Sequence, residues 1–113
     1  MKLKSGIASM RFRIRSYKRS AKERGLVWNL TEEQFKEITQ KDCYYCGAKP
    51  NNISKQNQFN GSYIYNGLDR INNNKGYTTD NVVPCCKICN TNKGNLGLQE
   101  FTDWIKKVYE NLP

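Results

Sequence analysis

Four cysteines fall in two Cys-x-x-Cys pairs, Cys43–Cys46 and Cys86–Cys89. Four thiolates in two such turns make a closed tetrahedral site suited to zinc. The pairs stand much farther apart than the roughly 15–20 residues of a simple ribbon, so the site must clamp both ends of a substantial insert. Within that insert lies Asp69, and Asn90 directly follows Cys89. A carboxylate and a carboxamide are hard oxygen donors, suited to Mg²⁺ or Mn²⁺ rather than zinc. Two protein ligands leave positions for water and a phosphate oxygen, the openness that metal-assisted phosphodiester cleavage requires. In isolation the two are ordinary turn-capping residues; their placement about the cysteine frame is what draws notice. The fifth thiol, Cys85, adjoins Cys86. The x-x spacing to Cys89 selects Cys86 as ligand and leaves Cys85 spare.

The elements that must position these groups belong to a short chain. Its 113 residues, 37% hydrophobic, suggest one domain with a limited core, a shortfall that a bound metal offsets. The formal charge is +9 and the pI about 9.4, a balance that seeks a polyanion, usually nucleic acid. No apolar run approaches the ~20 residues of a membrane span. The N-terminal MKLKSGIASMRFRIR lacks the apolar segment of a secretory signal. The cysteines are therefore expected in a reducing cytosol, where metal ligation outcompetes disulfides.

A helix is expected over about Ile7 to Arg24, with Met10, Ile14, Tyr17 and Ala21 as its apolar stripe and Gly25 at the C′ stop. Leu26–Leu30 reads as extended. Thr31-Glu32-Glu33-Gln34 is a capping box, opening a second helix from about Glu32 to Gln40 with Phe35 and Ile38 inward. The polar stretch from Pro50 to Gly61 reads as a surface loop. One strand is expected over Ser62–Leu68, ending at Asp69-Arg70, and another over Asn81–Val83. A short helix should carry Asn90 to Lys93. A last helix, about Gln99 to Asn111, would present Phe101, Ile105, Val108 and Leu112 as one face.

The combination CYYCG, then NGLDRINNNKGYTTDNVVPCCKICNTNKG, then an EF…W tail resembles the HNH endonucleases. The likeness is to the zinc-stabilised branch found among phage, homing and restriction enzymes. It spans about Cys43 to Trp104, and more weakly the preceding SYKRSAKERGLVWNLTEEQF. It implies an α+β fold with a ββα-metal core, preceded by a basic helix and followed by a C-terminal helix. The implied division of a single domain over 1–113 is a basic helical region at 1–42, the zinc core at 43–98 and the last helix at 99–113. Carried over by position, Asp69 matches the metal-binding aspartate, Asn81 the loop-bracing asparagine, and Asn90 the last metal ligand. Arg70 stands where the family has its histidine general base, and the chain has no histidine at all. The resemblance implies a metal-dependent endonuclease acting on duplex DNA, cytoplasmic in a bacterial or phage-infected cell, and it admits a homodimer.

Arginine stays protonated and cannot take a proton from water, but Arg70 can grip a phosphate and stabilise developing charge. A tyrosine could act as base. An ordinary phenol is about 0.1% ionised at pH 7, a handicap of roughly 4 kcal/mol that a nearby cation reduces. Tyr45 is the first choice, since the shared zinc holds the first knuckle near Asn90; Tyr44, Tyr63 and Tyr65 are the others, the last two in phase with Asp69 on one strand. A third reading needs no protein base, because the cation itself acidifies water. On the first helix Arg11, Arg15, Lys18, Arg19 and Lys22 are expected to neutralise DNA phosphates. Lys75, Lys87 and Lys93 would add positive surface about the cleavage centre. The competing function is a non-catalytic zinc module that only binds DNA; an RNA-binding zinc protein is a distant third, with no base-stacking module to recognise.

Overall fold

The computed structural model describes residues 3–113; Met1 and Lys2, which open the N-terminal stretch read above, lie outside them. Helix α1 (Ile7–Glu23) buries Met10, Ile14 and Ala21 along the expected stripe, and Gly25 takes φ +67° just beyond its end. The capping box forms as read. Gln34 donates its backbone N–H to Thr31 Oγ1 at 3.1 Å, and Thr31 returns its own N–H to Gln34 Oε1 at 2.9 Å. Helix α2 (Glu32–Thr39) thereby drives Phe35, fully buried, into the core.

Four short strands make two separate antiparallel pairs. β1 (Asn52–Ser54) pairs with β2 (Tyr63–Tyr65), and β3 (Gly67–Arg70) pairs with β4 (Val82–Cys85) in a register that sets Asp69 opposite Val83. Helix α3 (Lys87–Lys93) follows β4 almost directly, and α4 (Leu98–Asn111) ends the chain. The core gathers the α1 stripe, Leu30 and Phe35 with Tyr63, Tyr65, Leu68, Tyr77 and Val82.

Three expectations are corrected. Part of the stretch read as a surface loop is strand β1. Asn and Ser are poor strand formers, which hid it. The pairing is won by position: Ser54 is buried and donates its hydroxyl to the Ser9 carbonyl at 3.1 Å. The single strand expected from Ser62 onward breaks at Asn66. This fully buried residue leaves both ladders, giving its N–H to the Thr39 carbonyl at 2.8 Å and its carboxamide to the Lys41 and Ala48 carbonyls at 2.9 and 3.1 Å. The break puts Tyr63 and Tyr65 in a different sheet from Asp69. The last helix, finally, buries only Phe101. Ile105 is 42% exposed, Leu112 62%, and Trp104 and Tyr109 beside them 53% and 80%. Beyond Phe101 and the half-buried Val108, this apolar face is left exposed among the described residues.

Two glycines permit close approaches that position the site. A Cβ on Gly76 would collide with the Val27 carbonyl oxygen, because the Leu26–Leu30 segment lies against the β3–β4 loop. That segment is extended as expected, and pairs with Tyr77 through Tyr77 N–H to Val27 O and Asn29 N–H to Tyr77 O, both 2.8 Å. On Gly67 a Cβ would meet Tyr17 Oη at 2.8 Å. That hydroxyl accepts the Leu68 N–H at 3.2 Å, tying α1 to the strand that bears Asp69. No described helix is long and apolar enough to cross a membrane.

Burial pushes the Tyr17 phenol up to about 12, with the Leu68 N–H opposing it. A neutral phenol is thus favoured by folding, so its contribution is intact below pH 10 and is lost as pH rises from about 10 to 12, by about 3 kcal/mol in all. Urea unfolding across that range should show the decline. Tyr17→Phe should remove the slope while losing about 1–3 kcal/mol at neutral pH for the orphaned Leu68 N–H. A wild type equally stable at both ends of the range would contradict this.

Candidate functional site

The first knuckle closes tightly because Gly47 adopts φ +77° and returns its N–H to the Cys43 carbonyl at 2.9 Å. Tyr44 N–H then bonds the Pro84 carbonyl at 2.8 Å, fastening the knuckle to β4. The second knuckle is the opening turn of α3: Cys86 is its N-cap, with Sγ accepting the Cys89 N–H at 3.4 Å. The sulfurs of Cys43, Cys46, Cys86 and Cys89 consequently lie within 4.8 Å of one another, positioned to hold a metal ion. Cys85 stays outside the group, buried, its thiol directed to the Cys86 carbonyl at 3.5 Å.

Thiols packed this closely cannot all ionise without a cation. Burial opposes ionisation of Cys43, but the backbone N–H groups of Cys46, Cys86 and Tyr45 outweigh it and bring the thiol down to about 6. Burial, and then the neighbouring sulfurs, hold Cys89 well above the usual thiol range. Four sulfurs held this close are a donor set that a soft, tetrahedral cation completes.

Asp69, 7% exposed, ends up between two partners. Tyr45 donates its hydroxyl to Oδ2 at 2.6 Å, and Lys93 Nζ lies 3.3 Å from each carboxylate oxygen. Tyr45 is in turn packed edge-on by Phe101 of α4 and by Tyr44, centroids 5.2 Å apart in each case. Asp69, Arg70 and Asn90 line one cavity of about 180 Å³, together with Arg24, Tyr77 and the rim residues Asn73 and Asn95. Arg70 directs one terminal nitrogen to the Asn73 and Lys75 carbonyls at 2.6 and 3.1 Å, and its guanidinium carbon lies 5.5 Å from the Tyr77 ring centroid. Arg24 donates to the Tyr77 hydroxyl at 2.9 Å. Asn81, though buried, points away from this cavity into the loop: it accepts the Asn72 N–H at 2.9 Å and donates to the Asn72 and Gly76 carbonyls at 3.1 and 2.9 Å. A larger, shallower depression of about 550 Å³ beside it, lined by Asn72, Asn74 and the start of α4, has no comparable set of charges.

The tyrosines sort differently from the sequence expectation. Tyr45 reaches Asp69, but as a proton donor; burial first, and the carboxylate second, hold its phenol far above the ordinary value. A phenol in that setting positions the aspartate and is badly placed to accept a proton. Tyr63 is buried with its hydroxyl 2.6 Å from Thr39 Oγ1, and Tyr65 stacks on it at 5.6 Å; both are core aromatics. Tyr44 is 55% exposed. The phenol in the cavity is Tyr77, which sequence reasoning passed over. Its place in the loop between Asp69 and Asn81 was the available signal, since closing that hairpin returns the loop to the end of β3. Arg24, at the end of the basic helix, reaches the same cavity.

Lys93 is corrected too: it is buried rather than a surface charge, while Lys75 and Lys87 are exposed. Of the helix residues, Arg15, Lys18, Arg19 and Lys22 are exposed. Arg11 is engaged by Glu32, Nε to Oε1 at 2.6 Å.

No protein-family model matches the chain. An uncharacterized protein of Acanthamoeba polyphaga mimivirus is 38% identical over 104 residues, covering 87% of this chain. The chain spans only 18% of that protein's length. Among solved structures, the rare-cutting HNH restriction endonuclease PacI superposes with a TM-score of 0.59 at 21% identity, over 89% of this chain and 77% of that one. The chain therefore has the HNH endonuclease fold, α+β with a four-cysteine cluster able to bind a metal.

Elemental analysis should find one metal per chain at the four-sulfur cluster. Cys85→Ala should keep it, and Cys86→Ala should lose it along with most of the protein's stability. Loss of the metal from the Cys85 variant instead would put the wrong cysteine in the cluster.

Proposed function

We propose that the chain is one HNH-type domain and a metal-dependent endonuclease that hydrolyses phosphodiester bonds in duplex DNA. The observation that carries this reading is the convergence of Asp69, Asn90, Arg70 and Tyr77 on one polar cavity beside the four-sulfur cluster. Zinc suits that cluster and would be structural, since four thiolates leave no open position. Asp69 and Asn90, as hard oxygen donors on a shared cavity, fit Mg²⁺ or Mn²⁺. When bound, such a cation neutralises phosphate charge and polarises the water and the leaving oxygen.

The chain's own groups do the rest. Tyr45 fixes the Asp69 carboxylate. Arg70, anchored through one nitrogen to the loop carbonyls, keeps its other N–H groups for the scissile phosphate, where negative charge grows during attack. Tyr77, the phenol that lines the cavity with Asp69 and Asn90, takes the role of the missing histidine. Its hydroxyl oxygen accepts a hydrogen bond from Arg24. Asn81 keeps the β3–β4 loop in shape. Arg15, Lys18, Arg19 and Lys22 on α1 contact DNA phosphates, with Arg11 more weakly engaged because Glu32 competes for it. The setting is the reducing interior of a bacterial or virus-infected cell, in keeping with the mimivirus relative.

Supercoiled plasmid with Mg²⁺ or Mn²⁺ tests this directly. Wild type should nick it; Asp69→Ala should lose activity by more than about 100-fold, and Tyr77→Phe by about 10- to 100-fold. Tyr45→Phe should cost less than Tyr77→Phe. Glutamine at Arg15, Lys18, Arg19 and Lys22 should weaken binding and flatten its salt dependence. Intact plasmid with wild type across neutral and alkaline pH would leave the second reading, a DNA-binding zinc module, which the absence of histidine favours. Nicking that survives Asp69→Ala would dismiss the proposed centre.

The exposed face of α4, with Trp104, Ile105, Tyr109 and Leu112, suits pairing of two copies into a homodimer. Sedimentation velocity at tens of micromolar should then show a dimer that Trp104→Glu dissociates, and a wild-type monomer would exclude it.

A further inference from the structure

A lysine side chain with no exposure at all is rare, and it is tolerated only when paired. Lys93 satisfies its ammonium on the Asp69 carboxylate and the Arg70 carbonyl, the latter at 3.4 Å. We infer that Lys93 is the resident counter-ion of Asp69 and competes with the divalent cation for that carboxylate, so that cation and phosphodiester bind together rather than in turn. The inference rests on the reading of Asp69 and Asn90 as the cation's ligands.

Distance is the first support. Both Lys93–Asp69 separations are 3.3 Å, against roughly 2.7–2.9 Å for a tight charge-assisted bond. The Tyr45 bond to the same carboxylate is 2.6 Å. The phenol therefore holds the carboxylate in place and the ammonium supplies charge from a looser position. The Arg70 carbonyl offers it an acceptor to retain when a stronger cation arrives.

Placement on α3 is the second support. Lys93 lies three residues after Asn90, a neighbouring position on the helix surface, and reaches Asp69 and Arg70 of β3. Charge is the third. Arg24 and Arg70 line the cavity, Lys93 lies behind it, and Asp69 is its single carboxylate. A dication entering alone meets an aspartate already neutralised and two guanidiniums facing it. An incoming phosphate reverses that balance, so each ligand improves the site for the other.

Mn²⁺ binding to the full chain, followed by the electron paramagnetic resonance signal of the free ion, separates this role from a structural one. Lys93→Met should bind Mn²⁺ more tightly than wild type, by more than about tenfold, because the competing charge is gone while Tyr45 still holds the carboxylate. A lysine that served only to support the fold would leave affinity unchanged or lower it, and either result overturns the inference. Asp69→Asn should abolish binding. If it binds as wild type does, the cation site itself has been misread, an outcome distinct from failure of the lysine's role alone. Should Lys93→Met not fold, Mg²⁺ titration of ¹⁵N-lysine-labelled wild type still decides. The Lys93 ammonium resonance should shift and lose its exchange protection as Mg²⁺ saturates; a resonance unmoved at saturation overturns the inference.

Discussion

Four sulfurs brought within 4.8 Å are the constraint on which the rest of this molecule depends. None of the parts around them is stable by itself. The strands are three or four residues long and pair only two by two, a size that is marginal in water. The sulfur cluster joins positions 43–46 to positions 86–89, and the chain between must close on itself. Hydrogen bonds then make the closure specific: Tyr44 is fastened to Pro84, and Asn66 to the end of α2 and to Ala48. Asp69 and Asn90 come to share a cavity because β3 pairs with β4, whose end runs through Cys86 into α3.

Around Asp69 orientation and charge are supplied by different residues. Tyr45, packed by Phe101 and Tyr44, holds the carboxylate at hydrogen-bonding distance. Lys93 compensates its charge from behind. The cavity is lined by two arginines, Arg24 and Arg70, beside that one carboxylate. A surface of this kind is poor for an isolated dication and good for a polyanion that brings one along, which agrees with the net charge of the whole chain.

What could be read in advance was what local chemistry dictates. The knuckle spacing, the capping box at Thr31 and the apolar stripe of α1 each follow from residues three or four apart, and each formed. The reading was weakest where distant parts meet. Asn66 looked like one more polar residue in a strand, because its partners at Thr39, Lys41 and Ala48 are invisible to a periodicity. Strand β1 was hidden by its Asn and Ser, although the fold buries Ser54 and uses its hydroxyl as a hydrogen-bonding group. Lys93 looked like surface, since charge alone does not reveal a partner on another element. Among the tyrosines, alternation along a presumed single strand misplaced Tyr63 and Tyr65, and the break at Asn66 is the physical reason.

Helix α3 has only seven residues, far too few to persist unaided in water, and its first turn is itself the second knuckle, with a cysteine sulfur as its cap. Asn90 and Lys93 both ride on it. Loss of an ion held by the four sulfurs would therefore loosen the short helix that carries both Asn90 and Lys93.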